Sequence, residues 1–378
     1  MRITAVDAVP VSVPFVEPVR WRYGTMPGIT SLVLRVGTDA GFEGLGEVPG
    51  VPSVDVARAA VDFFTPLFVG ADPLRVRQLI RRAGDAGAAH FPYVANAALG
   101  GLEMALWDVC GKVLGCPVHQ FFGGISTSRI PFYWHVNAPD GSEEAAIAHA
   151  REGLRRGYTT MYLKGGDIEQ DLRMLEALRA DLGSDVLLRL DPNEGWSYID
   201  AMHHSARLAR LTLEFLEQPF ELGADRAARE LRKRANVRIG ANQSAWLVRD
   251  VVSVVARDAA DVVVTGIHQA GGMLAFAEAE TVCRLAGVPL VRHSLCDLGI
   301  GTAAALQVMA TWAPGRFAHQ THLQLLEHDL LVDSWRFSGD SLEVPTSPGL
   351  GVELDHGALH LYSERFRRVG EHKSYGSG

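Results

Sequence analysis

Asp191, Glu217 and Asn242 close three successive strand-like runs, LLRLDPN, LEFLEQP and RANVRIGANQ, and Lys164 closes the run before them, in TTMYLKGG. Two carboxylates and an amide oxygen at matching positions are hard donors suited to Mg²⁺, which takes a few protein oxygens and completes its octahedron with water and substrate. A buried lysine beside such a cation is pushed toward its neutral form and becomes a base near neutral pH. Plainer readings stand beside these: Asp191 or Asn193 caps the helix after DPNEGWS, and Lys164 balances the charge of Asp191 or Glu217. His293 closes a later run, PLVRHSLCD, either as an acid or base facing Lys164 across a substrate or as a structural histidine. Tyr162 shares the strand face of Lys164, whereas Gln243 and Arg292 alternate away from Asn242 and His293 and read as supporting residues. His135, at the end of an earlier run with Tyr133 and Trp134, lines the same mouth or packs in the core. Trp21, Arg22 and Tyr23 read as a solvated loop, with a cover over the site as the alternative.

The elements that carry these residues repeat. The polar residues ending each apolar run are His135, Lys164, Asp191, Glu217, Asn242, Gly266 and His293, at intervals of 29, 27, 26, 25, 24 and 27 residues, and one further step reaches His319 and Gln320. That interval is one strand, one helix and two turns. About eight such units predict an α/β fold with a closed parallel barrel, whose C-terminal strand ends share one mouth. No GxGxxG follows the first strand of the repeat, which disfavours a dinucleotide fold. Before the repeat, residues 1–124 form an α+β unit: ITSLVLRVGTDAGFEGLGEV alternates around a turn at Asp39–Gly41, and the run from about Val94 to Gly115 has helical spacing. The barrel is expected over 125–330. The segment 331–378 is turn-rich, then strand-like in ALHLYSERF, and disordered in the final EHKSYGSG.

Bulk composition bounds the function. The 378 residues carry a net charge of -8 with no dense basic stretch, so nucleic acid is not an expected partner. MRITAVDAVPVSVPF lacks the basic start and long apolar run of a signal peptide, and no uncharged run approaches a membrane span. Cys110, Cys116, Cys283 and Cys296 show neither CxxC spacing nor disulfide density, which fits a reducing cytoplasm; only Cys296, near His293, is a candidate for thiol chemistry.

LEMALWDVCGKVLGCPVHQFFGG, GYTTMYLKGG, LRLDPNEGWS, LEFLEQP, ADVVVTGIHQAGGM and SPGLGVELD, in this order and spacing, resemble the enolase superfamily, in its mandelate racemase and muconate lactonizing enzyme branch. The resemblance runs over nearly the whole chain. It implies a modified (β/α)₇β barrel with an α+β cap built from both chain ends, in a homo-oligomer. It further implies a Mg²⁺ enzyme that binds a small carboxylate and removes its α-proton to give an enediolate, with Asp191, Glu217 and Asn242 as metal ligands, Lys164 as base and His293 as acid or base.

Three positions depart from the family pattern. Tyr162-Leu163-Lys164 replaces the usual Lys-x-Lys, which leaves Tyr162 for another role, such as hydrogen-bond donor. Gly266 stands where relatives place an Asp that orients the histidine, or a lysine base; it deprives His293 of a partner unless Asp297 reaches it, and leaves room for a bulkier substrate. Asn242 replaces an acid, so the ligands bring a charge of about -2, matching the ion. On the eighth strand, Gln324 or Glu327 falls near the usual contact to the substrate carboxylate. One base and a partnerless histidine favour dehydration of a sugar acid or hydroxy acid, with His135, Asn193 and His268 expected around a polar mouth. Racemisation or epimerisation, cycloisomerisation, and a non-catalytic ligand-binding barrel are the alternatives.

Overall fold

The computed structural model describes residues 1–87, 92–315 and 317–373. Three antiparallel strands open the chain, β1 (Ile3–Trp21), β2 (Gly24–Thr38) and β3 (Glu43–Pro49), in the order β1-β2-β3. The helices α1 (Val54–Phe68), α2 (Val76–Gly87) and α3 (Pro92–Leu114) follow. Helix α3 lies directly on β3, and the contact is possible only because small residues meet there: a Cβ on Gly46 would stand 2.1 Å from the Gly101 carbonyl oxygen. Leu32, Leu34, Val48, Phe64 and Leu102 fill the layer between sheet and helices.

The repeat then begins. After the short β4 (Arg129–Pro131), seven parallel strands follow in chain order: β5 (Trp134–Val136), β6 (Thr160–Lys164), β7 (Leu187–Asp191), β8 (Phe215–Glu217), β9 (Ile239–Ala241), β10 (Val262–Thr265) and β11 (Leu290–Arg292). Between them run α4 (Glu143–Arg155), α5 (Ile168–Leu182), α6 (Tyr198–His203), α7 (Ser205–Leu211), α8 (Asp225–Ala235), α9 (Val248–Ala256), α10 (Ile267–Ala270) and α11 (Met273–Leu285). The sheet closes through an eighth segment: Gln320 N donates to Arg292 O at 3.0 Å, Tyr133 N donates to His319 O at 3.0 Å, and Phe132 and His319 form a parallel bridge. The barrel interior is packed with Phe215, Val262, Val264, Val291 and Phe317. Arg189 lies among them, 4.5 Å from the Phe215 ring centre, and is neutralised by Glu214 at 2.6 Å. The expected fold class is therefore the observed one. Among the described residues no helix is long and apolar enough to cross a membrane.

After α12 (Gly299–Met309), β12 (Ser341–Glu343) pairs with β4, and α13 (His356–Val369) packs on β1. ALHLYSERF is thus helical and not a strand. Asp355 caps the helix by accepting from Ala358 N at 2.9 Å, and Ala358, Leu359 and Tyr362 make its buried face at spacings of one, three and four. The expected disorder of EHKSYGSG does not hold for its start: Glu371 accepts from Val54 N at 2.8 Å, and His372 N donates to Thr30 Oγ1 at 2.8 Å. Residues 374–378 lie outside the described residues.

Candidate active site

The parallel register brings the chemistry-bearing residues together. Lys164 stands beside Asp191 on neighbouring strands, and Glu217 beside Gly240, two residues before Asn242. Asp191 is the hub. Its Oδ2 accepts from Lys164 Nζ at 2.5 Å, Tyr162 OH at 2.9 Å and Asn193 Nδ2 at 2.8 Å, while Oδ1 accepts from Asn193 N at 2.8 Å. Tyr162 is stacked on Tyr133 with ring centres 4.4 Å apart, and burial, reinforced by Asp191, pushes its hydroxyl well above the ordinary phenol range. It therefore keeps its proton and donates, the role left open by the missing lysine.

Glu217 is fully buried, and its Oε1 has no partner. Burial first, then the neighbouring Asp191, pushes its carboxyl up to about 8. Two buried carboxylates thus share one ammonium. Burial pulls Lys164 down, but Asp191 and Glu217 more than offset this and hold it above the usual lysine value. The charge-balancing reading of Lys164 is what the protein alone displays. Asn242 Nδ2 donates to Val264 O at 2.8 Å, which turns the amide oxygen away from that carbonyl, and Gln218 Oε1 fixes the Asn242 backbone at 3.1 Å. An uncompensated buried carboxylate, an unpartnered oxygen and a fixed amide oxygen are a hard-donor set that fits a divalent cation.

Above these groups lies a cavity of about 300 Å³ whose polar floor includes Lys164, Asn193, Asn242, His293, Gln320 and His322. His293 has a buried Nδ1 without a partner, and burial, then Lys164, holds its imidazole well below the usual histidine range. Asp297 does not reach it: Asp297 Oδ1 lies 2.9 Å from His268 Nδ1, and Oδ2 is paired with Arg292. Arg292 is structural, as its strand alternation requires.

Several expectations are corrected. Gly266 does not widen the site, since a Cβ there would stand 2.2 Å from the His293 carbonyl oxygen; β10 and β11 approach too closely for any side chain. His268 is buried against Glu47 O at 2.8 Å and Asp297, and His135 is buried against Tyr162 and His322, so neither belongs to the cavity wall. Gln243 does line the cavity, because the chain leaves β9 at Ala241 and turns before strand alternation reaches it. Cys296 lines it too, but burial, then Asp297, pushes its thiol up to about 12, which leaves it inert. Gln324 is turned to Tyr133 O at 3.1 Å and Glu327 lies against Tyr362, so neither fills the eighth-strand position.

His322 lines the cavity instead, and sequence spacing missed it. Ser294 Oγ accepts from Asp297 N at 3.1 Å and stands 3.1 Å from His322 Nδ1. With the hydroxyl donating to that nitrogen, the imidazole hydrogen lies on Nε2. Burial, then Lys164, pushes the imidazole down to about 3, so it is a neutral donor. The signal available was its position, one repeat interval after His293.

The upper wall comes from the N-terminal unit. Trp21, Tyr23, Met26 and Tyr93 face the floor, and Arg22 NH1 donates to Asn193 O at 2.6 Å. The WRY segment is thus a cover, not a solvated loop.

Comparison with known proteins agrees with this arrangement. Residues 3–123 match the family described as "Mandelate racemase / muconate lactonizing enzyme, N-terminal domain", and residues 145–358 match "Enolase C-terminal domain-like". The chain belongs to the mandelate racemase / muconate lactonizing enzyme branch of the enolase superfamily. Within the superfamily it is similar to muconate cycloisomerase 1-1 of Acinetobacter lwoffii, 28% identical with 96% of each chain covered. It is also similar to a probable glucarate dehydratase of Streptomyces coelicolor, 30% identical over 97% of this chain and 92% of the other. A solved structure of muconate lactonizing enzyme from Pseudomonas fluorescens, complexed with muconolactone, superposes with a TM-score of 0.90 at 26% identity, covering 96% of this chain and 99% of that one. The superfamily members it matches thus include enzymes named for different reactions.

Proposed function

We propose that the protein is a Mg²⁺-dependent dehydratase of a small hydroxy carboxylate, with Lys164 as base and Asp191, Glu217 and Asn242 as metal ligands. The observation that carries this is Lys164 at the cavity floor, 2.5 Å from a carboxylate that shares its burial with a second, partnerless one. The ion would supply positive charge to the substrate carboxylate and to the enediolate that proton loss creates. Asp191 and Glu217, the two charges that hold Lys164 protonated, would be offset by the ion they bind, which leaves Lys164 neutral; neutral Lys164 takes the α-proton, and the C–H electron pair enters the enediolate. Collapse of the enediolate forms the carbon–carbon double bond and breaks the β C–O bond; the departing hydroxide takes a proton from Lys164 or from a wall donor and leaves as water. Asp191 steadies the ammonium between these steps, and Tyr162 and Asn193 hold Asp191 in place. His293 and His322, both neutral, offer N–H groups to the developing charge.

Elimination is preferred over a two-base racemase because His293 has no carboxylate beside it to stabilise an imidazolium. Epimerisation is the second reading, supported by the placement of His293 on the same cavity as Lys164. Incubation with Mg²⁺ and a panel of 2,3-dihydroxy acids in D₂O tests both. Formation of 2-keto acid, abolished in Lys164→Ala, is expected; α-deuteration without loss of water would refute the dehydratase and leave the epimerase.

A further inference from the structure

The cavity is sharply divided between a polar floor and an apolar roof. Trp21, Tyr23 and Met26 from the β1–β2 turn, Pro52 after β3, Tyr93 on α3 and Trp246 after β9 face the floor groups. They form two edge-to-face pairs, Trp21–Tyr23 at 4.9 Å and Tyr93–Trp246 at 5.6 Å between ring centres. Tyr93 is 51% and Tyr23 40% exposed, so these rings are not held there by burial in a core. Among the described residues, the only formal charge on the cavity wall besides Lys164 is Glu194, and its Oε1 is already occupied by Leu222 N at 3.0 Å. The Trp246 indole N–H is buried without a partner.

Resting on the carboxylate chemistry proposed above, we infer that the substrate carries an apolar group of ring size on the carbon chain beyond its carboxylate, and not a run of hydroxyls. The floor takes the carboxylate and the reacting carbons; the remainder must lie against the roof. The volume equals roughly ten waters' share of liquid, enough for a carboxylate, two carbons and a six-membered ring. Burying one face of such a ring, on the order of 100 Å² of apolar surface, strengthens binding by on the order of fiftyfold. A hydroxyl placed there would leave water for few partners, which weakens binding by roughly tenfold for each one unpaired. Of the two classes expected from sequence, sugar acid and hydroxy acid, the inference favours a hydrophobic hydroxy acid.

The test compares 2,3-dihydroxy-3-phenylpropanoate and 3-phenyllactate with gluconate and galactonate, using the full chain with Mg²⁺. Turnover is read by α-deuterium exchange and 2-keto acid formation. Binding is read separately by quenching of the Trp21 and Trp246 fluorescence. We expect kcat/KM at least tenfold higher for 2,3-dihydroxy-3-phenylpropanoate than for the sugar acids, with 3-phenyllactate, which has no β-hydroxyl to lose, serving as the exchange and binding probe, and a drop of about tenfold or more in that preference in Tyr93→Ala or Trp246→Ala, carried by KM. Tyr93→Ala removes a half-exposed ring and so separates recognition from folding. Sugar acids turned over as well as the phenyl acids, or an unchanged preference in both variants, would overturn the inference. If no acid exchanges, the proposed chemistry fails on its own, and the binding series still decides: tighter 3-phenyllactate supports the apolar class, while equal or tighter gluconate, or no binding of either, rejects it.

Discussion

Glu103 makes a sharp test of how this fold balances buried charge. It projects from α3 against the start of α11, where Oε1 accepts from Trp107 Nε1 at 2.8 Å and Leu274 N at 3.0 Å. Oε2 is buried without a partner, and burial outweighs the two hydrogen bonds to push the carboxyl up to about 7. The folded state therefore holds this proton more tightly than the unfolded chain does. Its contribution to stability is fully present below about pH 4.5 and is lost as pH rises through about 7. Raising the carboxyl from 4.5 to about 7 is worth about 3 kcal/mol, roughly three quarters of it lost between pH 5 and pH 8. With an unfolding entropy of about 0.8 kcal/mol/K for a chain of this length, that is a fall in Tm of about 3 °C. Glu103→Gln keeps an oxygen for both donors and cannot ionise. Scanning calorimetry of both proteins at pH 5 and pH 8 isolates the residue, because the other raised carboxyls, Glu47, Asp108, Asp171, Glu194, Glu217 and Glu280, are common to both. The variant should lose about 3 °C less than the wild type over that range. An identical fall in both proteins would refute the reasoning.

The remaining expectations concern the site. His322→Ala should lower the rate of α-deuterium exchange by roughly 10²-fold or more, with His322→Gln recovering part of it through its amide N–H and Ser294→Ala falling between; full exchange in His322→Ala would remove the residue from the chemistry. Asn242→Asp should tighten Mg²⁺ in calorimetric titration by adding an anionic ligand, yet lower the Tm of the metal-free protein, because a carboxylate cannot donate to Val264 O and a third acid joins Asp191 and Glu217. Unchanged or weaker Mg²⁺ affinity would count against Asn242 as a ligand. Gly266→Ala should destabilise by about 2 kcal/mol or more, since its Cβ meets the His293 carbonyl oxygen, and a Tm within a degree of wild type would contradict that close contact.

Much of the barrel was legible because each strand is an apolar run that ends in a polar residue at the mouth, so a near-constant interval located Lys164, Asp191, Glu217 and Asn242 together. That logic fails where the chain stops being a strand. Gln243 lies past the end of β9 in a tight turn, so alternation placed it on the wrong side. ALHLYSERF alternates well enough to pass for a strand, and only the Asp355 cap and the surface of β1 select the helix. The openness read into Gly266 is a property of sequence alone, because the obstructing carbonyl arrives from another strand. His322 and the aromatic roof were hidden for a similar reason: both depend on segments remote in sequence meeting across one cavity.

The docking of Glu371 on Val54 N and Ser53 Oγ has a practical meaning for anyone recombining such proteins. These anchor points immediately follow Val51 and Pro52, which overhang the cavity. A chimera that transplants residues 1–124 onto another barrel would import the specificity loops but leave their guy-rope behind. Grafts of this kind should carry residues 356–373 as well, treating the two ends of the chain as one heritable part.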